Sequence, residues 1–205
     1  MPEFAIHNLW PITVYQSNLD VKKEWVDYAI NCNYERMRSN NGDISVSKYV
    51  LNDITDLQKE IKIHIDNYTK KFLKVKNNLN FYFLNSWLVK HHPHDFAQSH
   101  CHINSLISGV FYLTVPPNSG DLKFSKTHSH TNLFNQNIAI DYESYNNINA
   151  DTWLINSVEG QIILFPSFME HSVTENLSNQ VRYSLAFNLY VKGDIGKDEY
   201  RLELK

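Results

Sequence analysis

The hydrophobic pattern of this chain changes once, near Asn77, and that change limits the folds open to it. Before Asn77, apolar residues recur at spacings of three and four, as in Ile54, Leu57 and Ile61, which is typical of an amphipathic helix. After it, short runs alternate between apolar and polar residues, which is typical of half-buried strands. Helices followed by many short strands predict an α+β chain whose second half is a sandwich or barrel.

The first 77 residues predict one strand and two helices. The stretch 4–17 alternates loosely and contains Pro11, so we expect an edge strand there. A helix is predicted over 20–39 with Asp20 as its N-cap, and a second helix over 52–76.

The remainder of the chain predicts strands separated by turns. They are expected at 79–91, 97–103, 106–115, 121–125, 136–141, 152–156, 161–166, 170–175 and 181–191. The polar, Asn-rich segment 126–150 predicts a long loop that could act as a lid. With no repeat and no linker, we expect a single domain over 1–205, made of an N-terminal strand and helices (1–77), a core (78–191) and a C-terminal tail (192–205).

Composition excludes several classes of protein. A formal net charge of −3 favours neither a nucleic-acid partner nor an anionic membrane surface. The chain has no run of 18 apolar residues, and its opening does not resemble a signal peptide. Cys32 and Cys101 do not make a disulfide framework, so a reducing cytoplasm is the default expectation.

The chain has ten histidines, which are candidate metal ligands, but the sequence context of most of them does not indicate a metal site. His64 and Asp66 form an HxD pattern, but residues two apart on a helix point away from each other. They cannot share a metal there, and a surface position is predicted for them. The other histidines interpreted as solvated or uninformative are His7, His91, His92, His94, His128 and His130.

His100 and His102 have a different context, because the apolar run SLISGVFYLTV follows them. On a strand, side chains two residues apart share a face, so both rings could point into a core. A solvent-facing pair fits this segment equally well. A distal partner is available in His171, which follows the apolar stretch QIILFP and stands where a new strand is predicted to begin.

Arg182 lies in the otherwise apolar strand VRYSLAFNLYV, where a guanidinium needs a matching anion. Ser184, two residues on, faces the same way, and the two side chains together suit a carboxylate. Taken alone, Arg182 is better explained by a structural ion pair with a carboxylate of the chain itself.

Together these segments resemble the iron(II)/2-oxoglutarate-dependent dioxygenases. That family places an HxD/E pair and a distal histidine on a double-stranded β-helix, with an Arg or Lys about ten residues after the distal histidine. More narrowly, HCHINSLISGVFYL, GQIILFPSFMEHSV and RYSLAFN resemble a group of 2-oxoglutarate/iron oxygenases from phages and marine bacteria. The resemblance covers residues 80–191 and none of the first 77.

The resemblance implies a double-stranded β-helix core (jelly-roll, cupin-like) with the N-terminal helices packed on one sheet. It implies Fe(II) and 2-oxoglutarate as cofactors, and the following site residues: His100, His102 and His171 as metal ligands, with Arg182, Ser184, Tyr112 and Asn188 at 2-oxoglutarate. One departure is that His102 stands where the family has a carboxylate. Three imidazoles also suit zinc and copper, and an alternative frame would make Asn104 the third ligand.

The implied reaction uses O₂ to oxidise a C–H bond of a substrate, with succinate and CO₂ as the products of 2-oxoglutarate. The substrate stays open, and so does a homodimer. Two alternatives remain: a cupin-type metal dioxygenase that does not use 2-oxoglutarate, and a non-enzymatic β-sandwich binding or phage structural module. Formation of succinate separates all three.

Overall fold

The computed structural model describes residues 5–7, 9–37, 41–126 and 140–204. Four of the six residues of the strand predicted at 136–141 lie outside these residues, and the other two, 140 and 141, are not in a strand. His128, His130 and much of the predicted lid segment 126–150 also lie outside the described residues.

Within the described residues the chain forms twelve strands and two α-helices. The strands are β1 (Tyr15–Asn18), β2 (Tyr34–Arg36), β3 (Asp43–Ser45), β4 (Asn80–His91), β5 (Ala97–His100), β6 (Ile107–Thr114), β7 (Leu122–Ser125), β8 (Thr152–Ile155), β9 (Gln161–Pro166), β10 (His171–Val173), β11 (Arg182–Ile195) and β12 (Leu202–Leu204). The helical segments are α1 (Lys23–Asn31), α2 (Thr55–Asp66), a π-helical turn that continues α2 (Asn67–Phe72), and 3₁₀ turns at Val50–Asn52 and Asp198–Tyr200.

The strands form two sheets. The major sheet has the order β1-β9-β6-β11-β4-β3-β2, with β12 added beside β11, and the minor sheet has the order β5-β10-β7-β8. Side chains from both sheets meet in a small apolar core that includes Tyr112, Phe165 and Phe124. The α+β class and the double-stranded β-helix core are therefore confirmed.

The helices cover the opposite face of the major sheet, as expected. Trp25 of α1 and Ile61 of α2 belong to one buried cluster with Phe111 and Phe187 of the sheet. The two faces of β6 show how alternation divides the sheet: Phe111 packs towards the helices, whereas Tyr112 faces the minor sheet. None of the helices in the described part of the chain is long and apolar enough to cross a bilayer.

The predicted helix over 20–39 is shorter than expected. It begins after Lys22, so the prediction of Asp20 as its N-cap is wrong. It ends at Asn31, and the residues beyond form β2, which pairs with β3. Packing accounts for the change: the Tyr34 hydroxyl donates to the Ala29 carbonyl at 2.7 Å, and β3 continues the major sheet through β4.

Most of the remaining predicted boundaries lie within a few residues of the observed ones. Among the described residues β1 pairs only with β9, which fits the predicted edge strand, but it covers Tyr15–Asn18 and not the whole of 4–17. The second helix is α-helical only to Asp66, and Thr69 donates to the Ile65 carbonyl at 2.7 Å in the π-helical turn that follows. β5 ends at His100, three residues before the predicted end.

Gly109 of β6 leaves room for an aromatic ring, and this gives a test of the packing. A Cβ atom at Gly109 would lie 2.3 Å from Cζ of Phe187 and 2.8 Å from Cδ2 of Leu164, both fully buried. Gly109→Ala should therefore reduce the free energy of unfolding by about 1–3 kcal/mol, measured by urea denaturation. Glu159→Ala, at an exposed position before β9, is the control and should stay within about 0.5 kcal/mol. Unchanged stability in Gly109→Ala would contradict this packing.

Candidate metal centre and active site

Three histidines converge at one end of the minor sheet. His171 begins β10 and is the register partner of His100 on β5. His102 lies just beyond β5, where its backbone N–H donates to the Ser167 carbonyl at 3.0 Å. The side chains each offer one nitrogen, and these atoms lie within 4.8 Å of one another. Asn104, the third ligand of the alternative frame, is exposed.

Each ring of the triad His100–His102–His171 is held through Nδ1. Nδ1 of His100 donates to the Gln98 carbonyl at 2.7 Å, and Nδ1 of His171 donates to the Met169 carbonyl at 2.9 Å. Nδ1 of His102 lies 2.6 Å from Oδ1 of Asn188. A carbonyl oxygen only accepts, so the proton sits on Nδ1 and the Nε2 lone pair is free in each ring. This tautomer is the one that ligates a metal through Nε2.

Burial keeps the two inner rings of the triad neutral. It lowers the pKa of His171 to about 3, and the neighbouring histidines add to the effect. It also lowers the pKa of His102, although the hydrogen bond to Asn188 opposes the shift. A neutral imidazole is the form a metal requires.

A polar network behind His102 was not recognised as such from sequence. Asn188 accepts from His102 and from the Ser108 hydroxyl at 2.8 Å, and its own amide group donates to Oδ1 of Asn85 at 3.0 Å. The Ser108 and Ser167 hydroxyls lie 2.9 Å apart. The available signal was a polar residue at an inward position of an apolar strand, both at Ser108 in β6 and at Asn188 in β11.

Arg182 is only 1% exposed, and it has an unusual set of partners. Nη1 donates to the Gly120 carbonyl at 2.8 Å, and Nη2 donates to Nδ1 of His91 at 2.6 Å. The guanidinium also lies 5.8 Å above the ring of Tyr112. Within the described chain its Nε has no partner, and no carboxylate lies within ion-pair distance. Burial accordingly lowers the pKa of Arg182 from its ordinary value.

Gly120 is required where it holds Arg182. Its φ of +92° falls in the region that L side chains rarely adopt, and a Cβ atom there would lie 2.3 Å from the Thr174 carbonyl. The turn between β6 and β7 therefore contains a residue whose backbone contacts the buried guanidinium.

One cavity of about 620 Å³ connects the histidine triad to Arg182. Tyr112 and Ser184 line it near Arg182, and Trp87 stands beside His102 with the ring centroids 5.7 Å apart. Asn188, expected at 2-oxoglutarate, is placed behind the His102 ring by its hydrogen bonds. The side chains that line the mouth come from the β2–β3 hairpin and the residues beside it: Glu35, Arg36, Met37, Ile44 and Lys48.

Two histidines interpreted as surface residues are buried. His91, at the end of β4, is 2% exposed and lines the cavity, so its interpretation as an exposed loop residue is wrong. β4 ends at His91, as predicted, and the ring is buried because His91 is the register partner of Arg182 on β11. His64 is 9% exposed and bonds to the Tyr15 hydroxyl at 2.8 Å, so the predicted surface position is wrong there too. Asp66 points elsewhere, to Lys62.

The comparison of sequences with family models agrees with the fold and the site. The model described as "Putative 2OG-Fe(II) oxygenase" matches residues 85–188, which is half of the chain. The chain belongs to this family. It is therefore an oxidoreductase of the 2-oxoglutarate/Fe(II) oxygenase class, with Fe(II) and 2-oxoglutarate as the cofactors of that class. No curated protein matches it by sequence.

Solved structures share the fold at low sequence identity. A 2OG-Fe(II) oxygenase-family oxidoreductase from Burkholderia pseudomallei is 10% identical, with a TM-score of 0.57 over 81% of this chain and 75% of that one. A prolyl-4-hydroxylase from Pseudomonas putida is 14% identical, with a TM-score of 0.53 over 87% and 92%. HygX from Streptomyces hygroscopicus, solved with nickel, 2-oxoglutarate and hygromycin B, is 8% identical, with a TM-score of 0.60 over 87% and 82%.

The buried histidines predict how stability depends on pH. The pKa of His91 is lowered to about 3 by burial and by the charge of Arg182, and that of His171 to about 3 by burial. The unfolded chain takes up these protons near the ordinary value of 6.5, whereas the folded chain does not. Each of these rings should therefore contribute its full stabilisation above pH 6.5. As the pH drops from 6.5 towards 3, the free energy of unfolding should fall by up to about 1.4 kcal/mol per pH unit for each ring.

Urea denaturation of the metal-free protein at about pH 7.5, 6 and 5 measures this slope. His91→Asn removes one titrating ring and should flatten the slope by close to one proton. His94→Ala is the control, because His94 is exposed and pairs only with Glu175 among the described contacts. Equal slopes in the parent and in His91→Asn would contradict the lowered pKa.

Proposed function

We propose that this protein is a non-haem Fe(II)- and 2-oxoglutarate-dependent dioxygenase that hydroxylates a C–H bond of its substrate. His100, His102 and His171 hold the iron, and Arg182 and Ser184 hold the far carboxylate of 2-oxoglutarate. The observation that carries the proposal is a single cavity with three imidazole nitrogens in its wall and a buried guanidinium that has no ion-paired carboxylate among the described residues.

The triad fits a divalent metal by the chemistry of its donors. All three rings present Nε2, and two of them are buried enough to remain neutral. Imidazole is a suitable ligand for Fe(II). Because His102 replaces a carboxylate, this site carries one negative charge fewer than the usual pair of histidines and an acid, and that leaves more positive charge for a dianionic ligand.

The Arg182 end of the cavity fits a carboxylate. Arg182 Nε is a buried donor that has no partner in the described part of the chain, and Ser184 lines the cavity on the same face of β11. An oxygen acceptor that reached Nε would satisfy a group whose isolation costs free energy. Tyr112, below the guanidinium, closes the wall behind such a ligand.

Iron and 2-oxoglutarate, when bound, supply the oxidation by O₂, with succinate and CO₂ as products of the cosubstrate. The protein orients these groups and excludes water. The triad and Arg182 fix the two ends of the cosubstrate, and the apolar side chains Val110 and Phe165 line the space between the sheets. Trp87 stands beside His102 on the side of the hairpin, where we place the substrate.

The two alternatives explain less of the site. In a cupin-type dioxygenase that does not use 2-oxoglutarate, Arg182 would have no role. In a binding module, the ordered tautomers of the triad would have no role. The single domain over 1–205, the homodimer, a cytoplasmic location and the link to phages and marine bacteria stay predictions.

The ligand assignment is tested by metal binding. Ala substitutions at His100, His102 or His171 should each weaken anaerobic Fe(II) binding at least about tenfold, since each removes a ligand. Calorimetry at neutral pH measures the affinity. His94→Ala is the matched control and should bind as the parent does, because His94 is exposed and outside the triad. Undiminished iron binding in His102→Ala would eliminate the three-histidine site.

The role of Arg182 is tested by comparing ligand affinity with stability. A charge-assisted contact to a carboxylate contributes about 1.5–3 kcal/mol, so Arg182→Ala should weaken 2-oxoglutarate binding about ten- to a hundredfold. Arg182→Lys should recover part of this, because it keeps the charge and loses the planar fork. Fe(II) affinity should stay the same.

A structural role of Arg182 would give a different result in the same measurements. If Arg182→Ala lowers the melting temperature and 2-oxoglutarate still binds with the parental affinity, Arg182 is a structural residue. The proposed cosubstrate site would then be wrong.

A further inference from the structure

The guanidinium of Arg182 is tethered on two sides by groups with different properties. Nη1 donates to the backbone carbonyl of Gly120, which no side-chain substitution can remove. Nη2 donates to the imidazole of His91, a side chain on the neighbouring strand β4. Of these two hydrogen-bond acceptors in the described contacts, only His91 can be removed by a side-chain substitution.

The hydrogen bond fixes the tautomer of His91. A guanidinium only donates, so Nδ1 must accept and the proton of the neutral ring lies on Nε2. Nε2 has no partner within the described residues. It faces the hairpin side of the cavity, where a Cβ atom on Gly42 would lie 3.1 Å from it. One edge of the ring thus accepts the hydrogen bond from Arg182, and the other edge packs against Gly42.

We propose that His91 is a positioning residue that fixes the guanidinium of Arg182 and thereby sets the length of 2-oxo diacid that the cavity accepts. This inference rests on the proposed function, in which the triad holds one end of the diacid and Arg182 the other. Both ends belong to the β-framework: His171 pairs with His100, and Arg182 pairs with His91. A ligand that spans two fixed ends must match the distance between them.

Loss of the Nδ1 acceptor should loosen this constraint. Nη2 would remain buried and would turn towards another acceptor, which moves the guanidinium. 2-Oxoglutarate should then bind more weakly, and 2-oxoadipate, which is one methylene longer, should lose less or gain. The ratio of the two affinities is a readout that general destabilisation does not change.

Three substitutions separate the two edges of the ring. His91→Asn keeps an acceptor near the position of Nδ1 and loses Nε2. His91→Gln reaches towards the position of Nε2 and leaves the Nδ1 position to a methylene. His91→Leu removes both. The backbone carbonyl of His91, which accepts from Asn176 at 3.1 Å, is present in all three.

Affinities for 2-oxoglutarate and 2-oxoadipate are measured anaerobically by calorimetry with Mn(II) bound, together with Mn(II) affinity and melting temperature. We expect His91→Gln and His91→Leu to bind 2-oxoglutarate about tenfold more weakly, with a smaller preference over 2-oxoadipate. His91→Asn should stay within about threefold of the parent. Mn(II) affinity should not change in any variant. If His91→Leu does not fold, the contrast between Asn and Gln gives the same test.

Equal affinities and an equal preference in the Asn, Gln and parent proteins would overturn the role of His91. Arg182→Ala in the same assay separates this failure from a failure of the proposed function. If Arg182→Ala weakens 2-oxoglutarate and the His91 variants do not, only the inference about His91 is wrong. If Arg182→Ala has no effect either, the cosubstrate site itself is wrong.

Discussion

A buried positive charge that has no ion-paired carboxylate among the described residues is the constraint around which the site is built. Arg182 is enclosed by the two sheets, and its described partners are a carbonyl and a neutral imidazole. Burying an uncompensated charge is costly, and it is normally avoided by an ion pair. In this protein the unfavourable free energy of burying the guanidinium is not offset by an ion pair among the described residues, and a bound dianion would offset it. The same burial explains why His91 must stay neutral.

Much of the fold and of the site could be predicted from residues. Alternation and turn residues located most strands to within a few positions, because half-buried strands place their apolar side chains at every second residue. The segments that contain His100, His102, His171 and Arg182 were recognisable because polar groups interrupt apolar strands. Convergence was predicted from the two-residue spacing of His100 and His102 and from family resemblance, and the prediction from spacing is wrong. β5 ends at His100, so a shared strand face is not what brings His102 close.

The features that sequence did not reveal depend on contacts between distant segments. His91 lies in the strand predicted at 79–91, but its ring was interpreted as solvated together with His92 and His94, whereas the pairing of β4 with β11 places it against Arg182. β2 was predicted to be helical, and its strand conformation comes from pairing with β3 at the edge of the sheet. In both cases a contact with a distant segment determines the environment of the residue, and the residue type alone does not identify that contact.

The pairing of β4 with β11 has a consequence for how the chain folds. The two strands are joined along most of their length, although residues such as His91 and Arg182 are far apart in the sequence. A chain must lose much of its conformational entropy before such non-local pairs stabilise it. Topologies of this kind fold slowly, on a scale of about milliseconds to seconds. The helices can form early from local contacts, whereas the cavity exists only after β11, near the end of the chain, has inserted between β4 and β6.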